Sequence, residues 1–316
     1  MLILGAGGLI GQAITRQLCA DPGAITSLML ADRVPLPAPA GPIPVHSATG
    51  DISDGTFVSR LLASADCVVH LAALLATETE ADLDRGMDVN LRGLIGVLDG
   101  CRAQSWTAGR VLRFVFTSSI AAFGGPLPEM FDDAVARTPQ TSYGTHKAIA
   151  ELLIDDYTRR GVLDGRVLRL PIVLGRDALS GTAVSDKVAA LVRDPVLGRD
   201  MVCGIHPDTI MPVASAHRVA AALLRVAALP AEVFGHTRAM NLPSLSVTAR
   251  ELAEAASRGA VHRPGRVSWL PEPALQAVIE GWPRRFGSAY ASGLGLASDI
   301  NADEIVRHFL HDIERG

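Results

Sequence analysis

Tyr143 and Lys147 stand four residues apart in the stretch TSYGTHKAIAE, and Lys147 is one of only two lysines in a chain whose other cations are arginines. On a helix that spacing puts both side chains on one face. A free phenol ionises near pH ~10, and a nearby ammonium favours the phenolate, so the pair could act as a general base near neutral pH. An ammonium is compact and carries three rotatable donors, which suits sugar hydroxyls better than a flat guanidinium fork does. The stretch TSS, Thr117 to Ser119, ends an apolar run 24 residues before Tyr143. A hydroxyl there could hold the oxygen on which Tyr143 acts; otherwise these serines only cap a strand end. Taken alone, a Tyr-x-x-x-Lys pair is common and usually marks a solvated helix face.

A second constellation opens the chain. Gly5, Gly8 and Gly11 follow the apolar LIL and precede LIGQAITRQLCA, which has helical spacing. Glycines let a backbone turn sharply and approach a diphosphate, and the helix start, with Leu9 and Ile10, offers free N–H groups and a partial positive charge. The spacing is G-x-x-G-x-x-G, and by itself it could be an ordinary loop. Asp32 ends the next apolar run, LMLAD, 21 residues after Gly11. A carboxylate there can accept both ribose hydroxyls of an adenosine and repels a 2′-phosphate. The neighbouring Arg33 keeps a phosphorylated dinucleotide open as the lesser alternative.

The elements that must position these residues alternate. Apolar runs 2–4, 28–32, 67–73, 112–119 and 165–174 read as strands; 9–20, 82–104 and 143–161 read as helices. Ile149, Leu152, Leu153 and Tyr157 fall on one side of the last helix, and Gly161 is its stop. Alternation of this kind predicts an α/β fold, a doubly wound parallel sheet covered on both faces. Residues 33–44 hold five prolines and must form a loop. The expected division is a dinucleotide-binding domain over 1–174, rejoined by a strand and helix at 209–229, and a smaller lobe from 175–208 and 230–316.

Composition narrows the function. A net charge of −4 without long runs of one sign argues against nucleic acid or an anionic membrane as partner. Mean hydropathy is high at +0.27, yet no apolar run reaches membrane-spanning length. Cys19, Cys67, Cys101 and Cys203 match no zinc or redox spacing and read as reduced thiols. With no secretory leader in MLILGAGGLIG, the expected location is cytoplasmic. His308 and His311 lie three apart with no third ligand in view, so no metal is expected. Lys187 reads as a solvated helix residue, and Trp282 and Phe286 as core of the smaller lobe.

Taken together, Gly5-x-x-Gly8-x-x-Gly11, GDI with Asp51, HLAA (70–73), VNLRG with Asn90, TSS, Tyr143-x-x-x-Lys147 and LRLPIVLG (168–175) resemble the extended short-chain dehydrogenase/reductase family. These motifs come in the family's order and span residues 5–175. The resemblance implies a Rossmann fold and NAD as cofactor. It implies that Ser119, with Ser118 beside it, orients the substrate, that Tyr143 exchanges the proton, and that Lys147 holds the nicotinamide ribose and lowers the Tyr143 pKa. It places Asp51 and Ile52 beside the adenine, Leu71, Ala72 and Ala73 along the cofactor, and Pro171 and Val173 near the nicotinamide. Asn90 matches the family's asparagine, as a proton relay or only as a backbone fastener. A homodimer follows by analogy, with the helices of 82–104 and 143–161 forming a four-helix bundle.

The segments 116–129, 138–173, 240–255 and 282–299 carry a narrower resemblance, to an NAD-dependent family that oxidises D-erythronate, a four-carbon sugar acid. Its implied product is 2-dehydro-D-erythronate. Arg176 and Arg285 are the candidates to meet the carboxylate; as structural residues they would be surface or lobe-packing arginines. The alternatives are a sugar-nucleotide epimerase, which grips a nucleotide, and a non-catalytic dinucleotide sensor, which has no need of a complete Ser-Tyr-Lys set. Asp32 yields a first prediction: NAD is reduced faster than NADP at equal subsaturating concentration, and a neutral residue at position 32 weakens NAD and relaxes the discrimination. Faster reduction of NADP by the unaltered protein contradicts the assignment of Asp32.

Overall fold

The computed structural model describes residues 1–128, 131–175 and 183–314. Two compact units divide the chain: Met1–Ala122, Thr141–Arg169 and Ala220–Met240 form the first, and Phe123–Gln140, Leu170–Val219 and Asn241–Gly316 the second.

In the first unit, strands and helices alternate as β1 (Leu2–Leu4), α1 (Leu9–Ala20), β2 (Leu28–Asp32), β3 (Val45–Thr49), α2 (Gly55–Leu62), β4 (Cys67–His70), α3 (Ala76–Ala81), α4 (Leu83–Met87), α5 (Leu94–Ala108), β5 (Leu112–Ser119), α6 (Ser142–Arg159) and β6 (Leu163–Leu170). A seven-stranded sheet runs from the strand Ala239–Asn241 through β6, β5, β4, β1 and β2 to β3. β1 pairs in parallel with both β2 and β4, so the strand order reverses at β1/β4. At such a point the loops leaving neighbouring strands diverge and open a crevice. The glycine turn leaves β1 there, and residues 71–75 leave β4.

The central strands β1 and β4 are short and mostly apolar, and wholly buried, because both sheet faces are covered there. Leu2, Leu4, Val68 and Phe114 pack in one core with Phe57, Val58, Leu61 and Leu62 of α2 and Leu94, Val97, Leu98 and Cys101 of α5. Each such aliphatic side chain contributes roughly 1.5–3 kcal/mol by leaving water. Two elements escape the sequence reading. β3 is an edge strand with His46 and Ser47 exposed, so it shows no apolar run. α2 begins at Asp54, whose carboxylate accepts from the Thr56 and Phe57 amides, a cap signal that hydropathy alone overlooks.

The helix expected at 82–104 is interrupted. α4 passes into a π-helical turn, Asp88–Gly93, before α5. The wider turn brings Asn90 to the interior, where it is buried. On α6 the buried residues are Gly144, His146, Lys147, Ala150, Glu151 and Ile154, whereas Ile149 and Leu152 are exposed. The expected aliphatic side is therefore split: Leu153 and Tyr157 pack against the core, while Ile149 and Leu152 face outward.

The second unit holds β7 (Ile172–Leu174), α7 (Val184–Val196), β8 (Met201–Cys203) and β9 (Ile210–Ser215). From there the chain passes through α8 (Ala216–Ala228) and β10 (Ala239–Asn241), which fall mostly in the first unit, and returns to the second as β11 (Leu245–Thr248), α9 (Ala249–Gly259) and β12 (Val267–Trp269). Pro171 splits the strand expected at 165–174 into β6 and β7, because proline cannot donate to a ladder. β6 lies in the seven-stranded sheet, while β7 joins β9 and β11 in a three-stranded one. The expected return to the main sheet at 209–229 is corrected accordingly: β9 pairs in parallel with β7, and the elements in the main unit are the chain from Ala220 and the strand β10. Residues 123–140 also differ from expectation and belong with the second unit. Phe131 packs edge-on against Phe123 with centroids 4.8 Å apart, beside Phe286, and Asp133 accepts from the Asn241 amide at 2.7 Å. Phe286 is buried and Trp282 packs against this unit's core. Lys187 reaches Glu272 at 3.1 Å on the surface. Among the described residues no helix is long and apolar enough to cross a membrane.

Candidate active site

Ser119, Tyr143 and Lys147 come together on the first unit, where the end of β5 meets the first turns of α6. Thr141 caps that helix by accepting from the Gly144 amide at 3.0 Å, and Glu80 accepts from the Ser142 amide at 2.6 Å, so the start of α6 is held from two sides. Ser119 Oγ accepts from the Ala121 amide at 3.1 Å, which orients its hydroxyl, and it hydrogen-bonds with the Tyr143 phenol. Lys147 is 4% exposed; its Nζ donates to the Thr117 carbonyl at 2.8 Å. The ammonium lies 4.6 Å from the Phe116 ring centre and 5.5 Å from that of Tyr143.

The protonation states differ from the sequence expectation. Desolvation pushes the Tyr143 phenol up to about 12, and the Ser119 hydrogen bond is the influence that lowers it. Burial likewise pulls Lys147 down to about 7, opposed by the charge of Glu151. The protein alone thus holds a protonated phenol beside a lysine poised between its two states.

Ser118 is not beside Ser119 in function. Successive strand side chains face opposite ways, and Ser118, 2% exposed, donates to Glu151 Oε1 inside the unit. It is removed from the substrate-facing set. Glu151 and its partner Arg169 are the residues that sequence reasoning missed. Their signal was the Tyr143, Lys147, Glu151 spacing, three residues on one helix face over two turns.

The glycine turn has the shape a dinucleotide requires. Gly5 sits at φ +84°, and a Cβ there would fall 2.6 Å from the Ala72 amide nitrogen, so β1 and the loop after β4 pass in direct contact. Gly8 starts α1 without any side-chain cap and no acidic residue stands in the first turn. Gly8 is exposed, with Leu9 and Ile10 partly so and Gly11 buried. An uncapped, glycine-opened helix start is a place for a diphosphate. Asp32 accepts from the Gly7 amide at 2.8 Å and from Val34 at 3.3 Å, which aims its carboxylate at the turn and leaves lone pairs for ribose hydroxyls.

Asp51 is exposed, and the Ser53 amide holds its carboxyl below the usual range. Ile52 is in the core; a Cβ on Gly93 would touch its Cδ1 at 3.0 Å. Leu71, Ala72 and Ala73 are partly exposed, and the Leu71 amide donates to Leu4 O at 2.8 Å. Asn90 accepts from the Leu74 amide at 2.8 Å and donates to the Leu74 carbonyl at 3.0 Å. Both ends of its amide are engaged by one residue, so Asn90 fastens the backbone of this loop. Pro171 is buried and Val173 partly exposed, both in the second unit. Arg285 is exposed in the second unit, and Arg176 lies outside the described residues. Among the described residues no cluster of three or more His, Cys, Asp or Glu could hold a metal ion. His308 instead meets Ser215 at 2.9 Å and Asp299 at 3.1 Å.

This arrangement defines a dinucleotide-dependent enzyme of the extended short-chain dehydrogenase/reductase class. A model of the NAD dependent epimerase/dehydratase family matches residues 1–237. The D-erythronate dehydrogenase of Cupriavidus necator is 37% identical over 324 residues, covering 99% of this chain and 98% of that protein. That of Haemophilus influenzae is 31% identical over 313 residues, covering 98% of each. The crystal structure of a nucleoside-diphosphate-sugar epimerase from Agrobacterium tumefaciens, 33% identical, superposes with a TM-score of 0.91 over 100% of this chain and 94% of that one. The chain belongs to the NAD dependent epimerase/dehydratase family and is an NAD-dependent oxidoreductase.

The buried lysine has a measurable consequence for stability. Its folded pKa of about 7 lies below that of a lysine in the unfolded chain, near ~10.4. Between those values the unfolded chain binds more protons, so stability rises with pH across that window. Lys147→Met removes this contribution. Urea unfolding at about pH 7 and about pH 9.5 is expected to show the rise in the parent and a flatter dependence in the variant. An equal rise in both contradicts a depressed Lys147.

Proposed function

We propose that this chain is an NAD-dependent dehydrogenase of a small sugar acid, and that it oxidises D-erythronate at C2 to 2-dehydro-D-erythronate. The observation that carries this reading is the 37% identity to a D-erythronate dehydrogenase along nearly the whole of both chains. The intact Ser119, Tyr143 and Lys147 set supports it and argues against a non-catalytic sensor. NAD bound against the glycine turn supplies the hydride acceptor. Ser119 Oγ holds the C2 oxygen, and Tyr143 Oη, ionised once its own proton has passed to solvent, takes the C2 hydroxyl proton as the C2 hydride leaves to the dinucleotide. Lys147 gives up part of its bond to the Thr117 carbonyl to hold ribose hydroxyls and support the phenolate. Asp32 selects the unphosphorylated dinucleotide. Arg285 and Arg176 stand as candidates for the carboxylate.

The second reading, a sugar-nucleotide epimerase, is favoured by the 33% identical structure named as one. An epimerase returns its hydride to the product and forms no net NADH. Kinetics at 340 nm with D-erythronate, L-threonate and D-gluconate separate the two. D-erythronate is expected to be fastest and the longer acid slower but measurable, since one misplaced CH₂ is worth about 1–3 kcal/mol. If none forms NADH while a sugar nucleotide is converted, the epimerase reading replaces this one.

We further propose a cytoplasmic homodimer. The free thiols of Cys67, Cys101 and Cys203 are buried, which suits a reducing compartment. For the dimer the support is apolar surface on two adjacent helices: Trp106 of α5 is 71% exposed and Leu152 of α6 is 56% exposed, and Ile95 and Ile149 are exposed to a lesser degree. Tyr157 Oη donates to Asp99 at 2.8 Å and ties these helices together, so they offer one surface. Light scattering is expected to give a dimer mass for the parent and a monomer for Leu152→Glu. A monomeric parent in dilute solution contradicts the proposal.

A further inference from the structure

The carboxylate of Glu151 has none of its surface exposed, and no step above uses it. Arg169 Nε donates to its two oxygens at 3.0 and 3.1 Å, Arg169 Nη2 donates to Oε2 at 2.9 Å, and Ser118 Oγ donates to Oε1. Arg169 is itself 1% exposed. Two charges this deep are costly to take out of water, and apolar residues of equal volume often serve packing as well or better. The pair therefore calls for a role besides packing.

Three placements indicate one. Glu151 stands one helical turn after Lys147 on the buried face of α6. Ser118 is the chain neighbour of Ser119 at the end of β5, whose Thr117 carbonyl receives Lys147 Nζ. Arg169 lies on β6, next to the segment where the chain leaves the sheet at Pro171. One carboxylate thus links the strand that carries Ser119, the helix that carries Tyr143 and Lys147, and the strand beyond.

The groups around Lys147 leave Glu151 as its carboxylate. On α6 these are Tyr143, His146 and Glu151; from β5 come Phe116 and the Thr117 carbonyl; from β4 comes His70. Burial, reinforced by Lys147, pushes His70 to about 3 and lowers His146, so both are neutral near pH 7, as is the Tyr143 phenol. Arg169 neutralises Glu151 overall, but the pair is oriented and Glu151 acts on Lys147 as an attractive charge. We propose that Glu151, clamped by Arg169 and Ser118, is a positioning residue that keeps the Lys147 ammonium protonated and fixes the end of β5 so that Ser119 faces Tyr143. The proposal rests on the dehydrogenase reading only for the task of Lys147; the proton on Lys147 is measurable without any substrate.

The composition supplies the test. Lys187→Arg leaves Lys147 as the chain's one lysine, so protein carrying ¹³Cε-lysine gives a single lysine resonance whose pH titration reports Lys147 directly. In Glu151→Gln the midpoint is expected to fall by about one unit or more, a tenfold loss of proton affinity. The accompanying loss of NAD reduction should be smaller toward acid pH, where Lys147 is protonated in both proteins. Glu151→Gln removes the buried carboxylate to which Arg169 donates and threatens folding. The double variant Glu151→Gln/Arg169→Met removes both charges and is expected to lower the midpoint as well. Ser118→Ala keeps both charges and is expected to lower kcat with NAD affinity retained. An unmoved Lys147 midpoint in a folded Glu151 variant, or unchanged kcat and midpoint in Ser118→Ala, overturns the proposal. If the midpoint falls while no sugar acid is oxidised, the substrate reading fails and the role of Glu151 stands.

Discussion

The site depends on one constraint, an ammonium held inside the protein. Lys147 is 4% exposed and meets a backbone carbonyl and an aromatic face instead of water. Taking that charge out of water costs enough to bring its pKa to about 7. The same desolvation raises the neighbouring phenol to about 12. The phenol therefore starts neutral, while the lysine stands between its two states near pH 7.

The remainder of the first unit serves to hold that arrangement still. The sheet delivers the glycine turn and the 71–75 loop side by side because the strand order reverses between β1 and β4. The π-helical turn brings Asn90 inward to bond both backbone groups of Leu74. The two caps at the start of α6 fix Tyr143 relative to Ser119. Rigid elements and engaged backbone groups, more than side-chain contacts to a ligand, define where the reacting atoms stand.

Local spacing made much of this readable in sequence. Gly5, Gly8 and Gly11 lie in one turn and Tyr143 and Lys147 on one helix turn, so their spacing along the chain carries their placement; Asp32 and Ser119 stand at the ends of the strands β2 and β5. What could not be read depended on tertiary contacts. Glu151 on a helix looks like a solvated residue until Arg169 from β6 is placed over it. Ile149 and Leu152 of α6 look like core residues until the buried face of the helix proves to carry Lys147 and Glu151. β9 has the apolar pattern of any buried strand, and only the break at Pro171 assigns it to a second sheet. The direction of the Tyr143 shift was hidden too, because spacing reports proximity to a cation and says nothing of burial.

The central claim is that Tyr143 exchanges the substrate proton in a site that Lys147 and Ser119 complete. Tyr143→Phe removes one oxygen and leaves the ring, the helix and the glycine turn in place. Stopped-flow or steady-state NADH formation with D-erythronate, paired with NAD binding by calorimetry, measures both halves of the claim. The expected result is a loss of about 10²–10⁴-fold in kcat with NAD affinity nearly unchanged. Turnover close to that of the parent, or loss of NAD binding equal to the loss of rate, contradicts it.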